Sequence, residues 1–292
     1  MQRIEAGPGL RRAMQTLLVL FKVRIVGLLL FAAMGGAFLA AGGWPGAGPL
    51  ALLLVTGGLV AAGASALNVS LELESDTRME RTRHRRPLAQ ASWLPIVAVA
   101  MILVPSLAVL PFNPALALWL LVGAAIYVGV YTLWLKPRTV LNIVLGGTAG
   151  SAAVLSGAAA AGAWHAPAAL ILALLVLLWT PTHFWSLVIV HRADYARASF
   201  PMLPVRTTPR TAAWWVLLHT GATALAAMAL GLAPGMDWPY RLPVAVATIE
   251  LLRRNVCLLA QPTAERARAL FIGSNVYLAI VVVAACLDTM IG

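Results

Sequence analysis

Residues 50–88 read LALLLVTGGLVAAGASALNVSLELESDTRMERTRHRRPL, an apolar run that passes into a heavily charged segment. The run to Leu71 is long enough to cross a bilayer, which takes about 20 apolar residues. From Asn68 to Leu88 the chain then holds four of its ten acids and five of its 21 basic residues. Asn68, Glu72 and Asp76 stand four apart, so on a helix their oxygens share one face. Stacked carboxylates at the end of an apolar helix repel with little screening, and a bound cation is the usual remedy. Oxygen ligands favour a hard ion such as Mg2+, commonly held by one or two carboxylates plus substrate phosphates. Arg78, Arg81, Arg83, Arg85 and Arg86 supply a positive wall for such phosphates. The plainer alternative is a solvated loop whose arginines only orient the protein.

Composition fits the same boundary repeated along the chain. The 292 residues are 61% hydrophobic and 11% charged, with a mean hydropathy of +0.87, whereas soluble domains carry about 25% charged residues. An integral membrane protein follows, with little chain left for a soluble domain. The net charge of +11 is explained by basic cytoplasmic loops better than by nucleic acid. Cys257 and Cys286 lie in apolar segments, without disulfide or metal-ligand spacing. The short basic N-terminus is not expected to be a cleavable signal, since the first apolar run is long enough to stay as a span.

The expected fold class is all-α and polytopic: about nine transmembrane helices in two four-helix halves around a central cavity. Spans are predicted at 25–42, 50–71, 93–110, 115–134, 140–162, 167–188, 211–232, 240–259 and 269–287. The eighth is weakest because it contains Glu250, Arg253 and Arg254, whose arginines can snorkel near a cytoplasmic end. With the N-terminus inside and the C-terminus outside, 20 of the 21 Lys and Arg residues fall in or beside cytoplasmic segments; Arg241 alone does not. Both long charged stretches follow an even span, which suggests one domain over 1–292. Its first half is 15–135, its second 136–260, and a last helix covers 261–292.

The second charged stretch, HRADYARASFPMLPVRTTPR, follows the sixth span, and the second constellation, WTPTHFWSLVIVHRADYARASFPMLP at residues 179–204, runs into it with Asp194 its only acid. An aromatic belt would account for Trp179, Trp185 and Tyr195. His183 is a polar group within an apolar helix, two residues after Pro181. His219 lies deeper, where an interhelical hydrogen bond is its simplest role and a functional one the alternative.

The motifs in order carry a resemblance. N-x3-E-x3-D-x2-M-x-R-T followed by RPL resembles the first acidic motif of the UbiA-type intramembrane prenyltransferases. LKPRTVLNIVLGGTAG (135–150), WTPTHFW (179–185), DYARASFPMLPV (194–205) and LFIGSNVYL (270–278) are similar to the branch that joins farnesyl diphosphate to haem b. The chain departs from the branch's pattern in four places. RTRHRRPL has one residue more than the usual RTxxRPL, so Arg85 and Arg86 share one role. FKVR stands for TKPR, Ala152-Ala153 for a proline pair, and Ser199 for the glycine of AGxPMLP.

The resemblance implies Mg2+, one ion or two, on Asn68, Glu72 and Asp76, with Asp194 a ligand from the other half. Arg81, Lys136, and Arg85 or Arg86 would take the diphosphate oxygens. His183, Trp185, His191, Arg192 and Tyr195 would lie on the haem side, with Trp179, Phe184 and Trp185 stacking and Arg192 or Arg197 meeting the propionates. Haem b is then a substrate rather than a cofactor, and a downstream haem A synthase a further partner, in a bacterial inner membrane. The alternatives are a related prenyltransferase acting on a quinone or chlorophyll precursor, and a transporter. Transport sites lie mid-membrane, whereas these acids cluster at helix ends.

Overall fold

The computed structural model describes residue 18, residues 20–80 and residues 91–291, and among these there are helices and no strand. The long helices are α1 (Val23–Ala41), α2 (Ala47–Leu71), α4 (Leu94–Val109), α5 (Pro114–Ala125), α7 (Thr148–Ala160), α8 (Pro167–Val190), α11 (Pro209–Gly231), α12 (Trp238–Ala260) and α13 (Ala264–Ile291). Short helices lie at the polar segments: α3 (Leu73–Arg78), α6 (Asn142–Gly146), α9 (Arg192–Arg197) and α10 (Leu203–Arg206). Seven helices, counting α5 with the segment after it and α6 with α7, are long and apolar enough to cross a membrane. The remaining two of the expected nine are α4, apolar but 16 residues long, and α12, which carries Arg241, Glu250, Arg253 and Arg254.

The helices close into a circuit. From α1 each packs on the next in the order α2, α4, α5, α7, α8, α11, α12, α13, and α13 returns to α1. Contacts of α1 with α7 and α8, and of α8 with α13, cross the middle. The closest crossing is α1 on α7: a Cβ on Gly36 would stand 2.1 Å from the Val154 carbonyl oxygen, and one on Gly157 1.7 Å from that of Ala33. Lipid offers apolar side chains no reason to pair, so small residues that let backbones touch supply much of the packing energy. Large apolar side chains such as Ile96, Val104, Leu225 and Ile249 point outward, as a lipid-facing surface requires. Inside, Asn255 donates to Thr220 and Thr182 meets Thr220 at 3.1 Å, joining α12, α11 and α8.

Two spans differ from the straight helices expected. The fifth is divided at Gly147 into α6 and α7. The fourth changes from α5 into a π-helix over Ile126–Leu135, where the Lys136 amide donates to the Tyr131 carbonyl five residues back at 2.8 Å. The wider π-turn puts Tyr127, Tyr131 or Thr132, and Lys136 on one face, a spacing an α-helix would spread apart. Gly146 leaves the room this needs, since a Cβ there would meet the Tyr131 ring at 2.5 Å.

Candidate active site

The start of α1 and the ends of α2, the π-helix and α8 meet at one end of the bundle, and the polar residues collect there. Asn68 is buried on the last turn of α2. Its Nδ2 donates to Thr132 Oγ1 at 3.0 Å, and Thr132 Oγ1 donates to the Tyr127 carbonyl at 2.8 Å. The Asn68 side-chain carbonyl, fixed by this anchor, accepts from the ammonium of Lys22, which also lies 3.3 Å from the Tyr127 hydroxyl.

Glu72 sits one turn on and pairs with the ammonium of Lys136; their side chains are 10% and 11% exposed. Lys136 is enclosed by aromatic faces, 4.4 Å from the Phe200 centroid and 5.8 Å from that of Tyr131. An ion pair so withdrawn from water is costly to break from one side, by about 3–5 kcal/mol.

The expected single helical face for Asn68, Glu72 and Asp76 is broken at its centre. Helix α2 ends at Leu71, Glu72 is its cap with φ −96° and ψ 12°, and α3 restarts at Leu73. Local chemistry favours the break, because two carboxylates one turn apart on a continuing apolar helix would repel. Asp76 lies within α3, though its side chain is outside the described residues, as are Arg81, Arg85 and Arg86.

The second polar stretch covers this region. Asp194 on α9 is buried and paired with Arg197. Arg197 also reaches Glu80 at 3.8 Å, so one guanidinium bridges the two stretches. Met79 is buried in the same core cluster as Tyr195, Phe200 and Met202, which anchors the first stretch under the second. Ser199, between α9 and α10, has φ +59°, the left-handed region that favours glycine. Arg192 donates to the Thr207 carbonyl at 2.9 Å, holding α9 to the end of α10. The backbone carbonyl of His191, which caps α8, accepts from the amides of Asp194 at 3.0 Å and Tyr195 at 3.2 Å. Tyr195 is buried with its ring edge toward Phe184.

Two members of the expected haem side face different ways. Trp185 is fully buried on the α11 side, edge-on to His219 at 5.3 Å between centroids. His183 is half-buried, stacked on Trp179 at 4.4 Å and tilted against Phe271 at 4.6 Å.

Among the described residues no three His, Cys, Asp or Glu side chains converge as a metal cluster. The donor set nevertheless suits a hard cation. Asn68 and Glu72 offer oxygens alone, and each is held by an ammonium of the protein's own. Each ammonium holds positive charge on an oxygen that a divalent ion could also use.

Lys22 and the π-helical tyrosines did not stand out in the sequence. A lone lysine before a first span reads as an orienting charge. The spacing of Tyr127, Tyr131 and Lys136 is the only trace of the π-turn.

The UbiA prenyltransferase family matches residues 28–279. A protoheme IX farnesyltransferase of Sulfolobus acidocaldarius is 38% identical over 276 residues, covering 92% of this chain and 94% of the relative. One from Metallosphaera sedula is 36% identical, covering 93% and 95%. A solved UbiA homologue from Archaeoglobus fulgidus, bound to DMAPP and Mg2+, is 15% identical and covers 93% of this chain and 99% of its own, with a TM-score of 0.64. Another from Aeropyrum pernix, 19% identical, covers 91% and 98% with a TM-score of 0.67. Both share this fold.

Proposed function

This chain belongs to the UbiA prenyltransferase family, and we propose that it transfers a farnesyl group from farnesyl diphosphate to a vinyl group of haem b, giving haem O and diphosphate. The observation that carries the reading is the paired set Asn68–Lys22 and Glu72–Lys136 beside Asp194, at the polar end of an apolar bundle. Relatives bearing the farnesyltransferase name along nearly their whole length support the choice of substrates. The halves 15–135 and 136–260 each bring one lobe of the site.

In the reaction the farnesyl C1–O bond breaks and its electron pair leaves on the diphosphate. The vinyl π pair forms the new carbon–carbon bond, and water captures the cation left beside the ring, losing a proton. Such a reaction is accelerated chiefly by positive charge fixed around the leaving group. Mg2+, when bound, neutralises the diphosphate; Asn68, Glu72, Asp76 and Asp194 would hold it. Lys22, Lys136, Arg81, and Arg85 or Arg86 bind phosphate oxygens and keep the leaving group in place. The burial of Lys136 between Tyr131 and Phe200 excludes water from that side. His183, Trp185, His191, Arg192 and Tyr195 belong to the haem side. Trp185 acts there as packing behind the pocket wall, given its burial, and Arg192 or Arg197 meets the propionates.

The distribution of basic residues supports a cytoplasmic N-terminus and an external C-terminus, and we place the chain in a bacterial inner membrane. A haem A synthase would then receive the product. The direct test incubates the purified chain with haem b, farnesyl diphosphate and Mg2+ and looks for haem O by mass spectrometry. Product that depends on Mg2+ is expected. No product beside a working control enzyme would end this reading.

A further inference from the structure

Leu172, Val176, Trp179 and His183 form one stripe of α8, at helical spacings of four, three and four. Leu172 borders Gly35 of α1 at 3.1 Å and Val176 borders Gly150 of α7 at 3.0 Å, measured to where each glycine's Cβ would stand. The stripe therefore faces the middle of the bundle, and His183 is its member nearest the polar end. Val190 lies seven steps further along the helix, a depth of roughly 10 Å at about 1.5 Å per residue.

His183 Nδ1 lies 3.0 Å from Ser274 Oγ. Ser274 Oγ also reaches the Phe271 carbonyl at 2.8 Å, which accepts from Asn275 Nδ2 at 2.9 Å as well. In the tautomer that donates Nδ1–H to Ser274 Oγ, Nε2 keeps its lone pair. Ser274 is itself fixed, since its backbone carbonyl accepts from Trp179 Nε1 at 2.8 Å.

The ring faces are occupied as well. Trp179 lies at 18° to the imidazole plane and Phe271 at 31°. With both rings against it at these distances, the imidazole offers a ligand chiefly its edge, where Nε2 lies. A macrocycle across the edges of the three rings would receive edge-to-face contacts from the aromatics and a nitrogen ligand at its centre.

We propose that His183 Nε2 is the axial ligand to the iron of the haem substrate. The inference rests on the haem reading above. An iron-binding histidine commonly donates its other ring N–H to a fixed acceptor, which sets the tautomer and strengthens the ligand. Ser274 Oγ, 3.0 Å from His183 Nδ1, is placed to be that acceptor. His183 holds the macrocycle by its centre, which leaves its rim, vinyl groups included, uncovered.

The experiment adds ferric haem b to the purified full chain in detergent and records its optical and electron paramagnetic resonance spectra. The wild type is expected to show imidazole ligation. His183→Gly should lose it, and free imidazole should restore it, which also shows that the variant is folded. Ser274→Ala should weaken haem binding roughly tenfold without changing farnesyl diphosphate binding. His183→Met covers the case in which the glycine variant does not fold; its spectrum should change to a thioether type. A wild-type spectrum without imidazole ligation, or one that neither His183 variant alters, overturns the assignment even if haem O is made. A wild type that ligates haem through His183 yet makes no haem O keeps this ligand and removes the farnesyl-transfer reading.

Discussion

Single residues carry the chemistry, and the ones easiest to test are Glu72, Lys136 and Ser199. Glu72→Gln keeps the size of the side chain and removes the charge that holds Lys136 and would hold a cation. Activity in the haem O assay should fall by roughly 100-fold or more while membrane insertion is unchanged; wild-type turnover would refute the metal role. Ser199 is a different case. It stands where the resemblance expects glycine, and its φ of +59° shows why glycine suits the position. The left-handed region costs other residues about 1–2 kcal/mol, against about 0.5–1 kcal/mol of extra chain entropy for glycine. Ser199→Gly should therefore raise the thermal midpoint in detergent slightly, and a fall would show that the hydroxyl stabilises the turn. Glu72 was legible in the sequence because a carboxylate on an apolar helix is costly unless a partner of opposite charge meets it. Lys22 was not legible, because its value lies in a contact with Asn68, 46 positions away, and no local pattern encodes that.

At the scale of elements, two contacts decide how the helices stand. One is the backbone contact of α1 with α7. Gly157→Val would drive a side chain into the Ala33 carbonyl and should cost about 2–3 kcal/mol, read as a lower thermal midpoint in detergent. Equal stability would mean that the helices can slide apart freely. The other is Arg197 between Asp194 and Glu80. Its exposure limits the stability at stake to less than about 1 kcal/mol, so Glu80→Gln should barely change the melting curve. Its effect should appear in kcat if the bridge aligns the two stretches, and unchanged kcat would assign the bridge to the surface. Span positions were readable from hydropathy within a few residues, since lipid imposes a length on every crossing segment. The break at Glu72, the division at Gly147 and the π-turn were not. Each answers to a neighbour in space: a lysine, a closely packed helix, a tyrosine ring resting on Gly146.

The whole molecule is a circuit of helices whose polar ends gather on one side. Of the 21 basic residues, 20 lie at or beside the ends predicted to be cytoplasmic. Reporter fusions should place the N-terminus inside and the C-terminus outside; the opposite result would reverse the membrane side from which the substrates arrive. The bundle is held by α1, α7, α8 and α13, while the acids and lysines of the diphosphate lobe are presented at their margin. The π-helix works as a gear between the two. It carries its surplus residue as angular phase rather than as length. Wound as an α-helix, the same residues would turn Lys136 roughly 180° from Tyr127 over nine steps of about 100°, away from Glu72. Deleting Gly129, whose position has open space beside it, would leave eight such steps and return Lys136 toward the face of Tyr127 and Thr132. One residue of winding therefore decides whether this lysine reaches the site, with the bundle still closed.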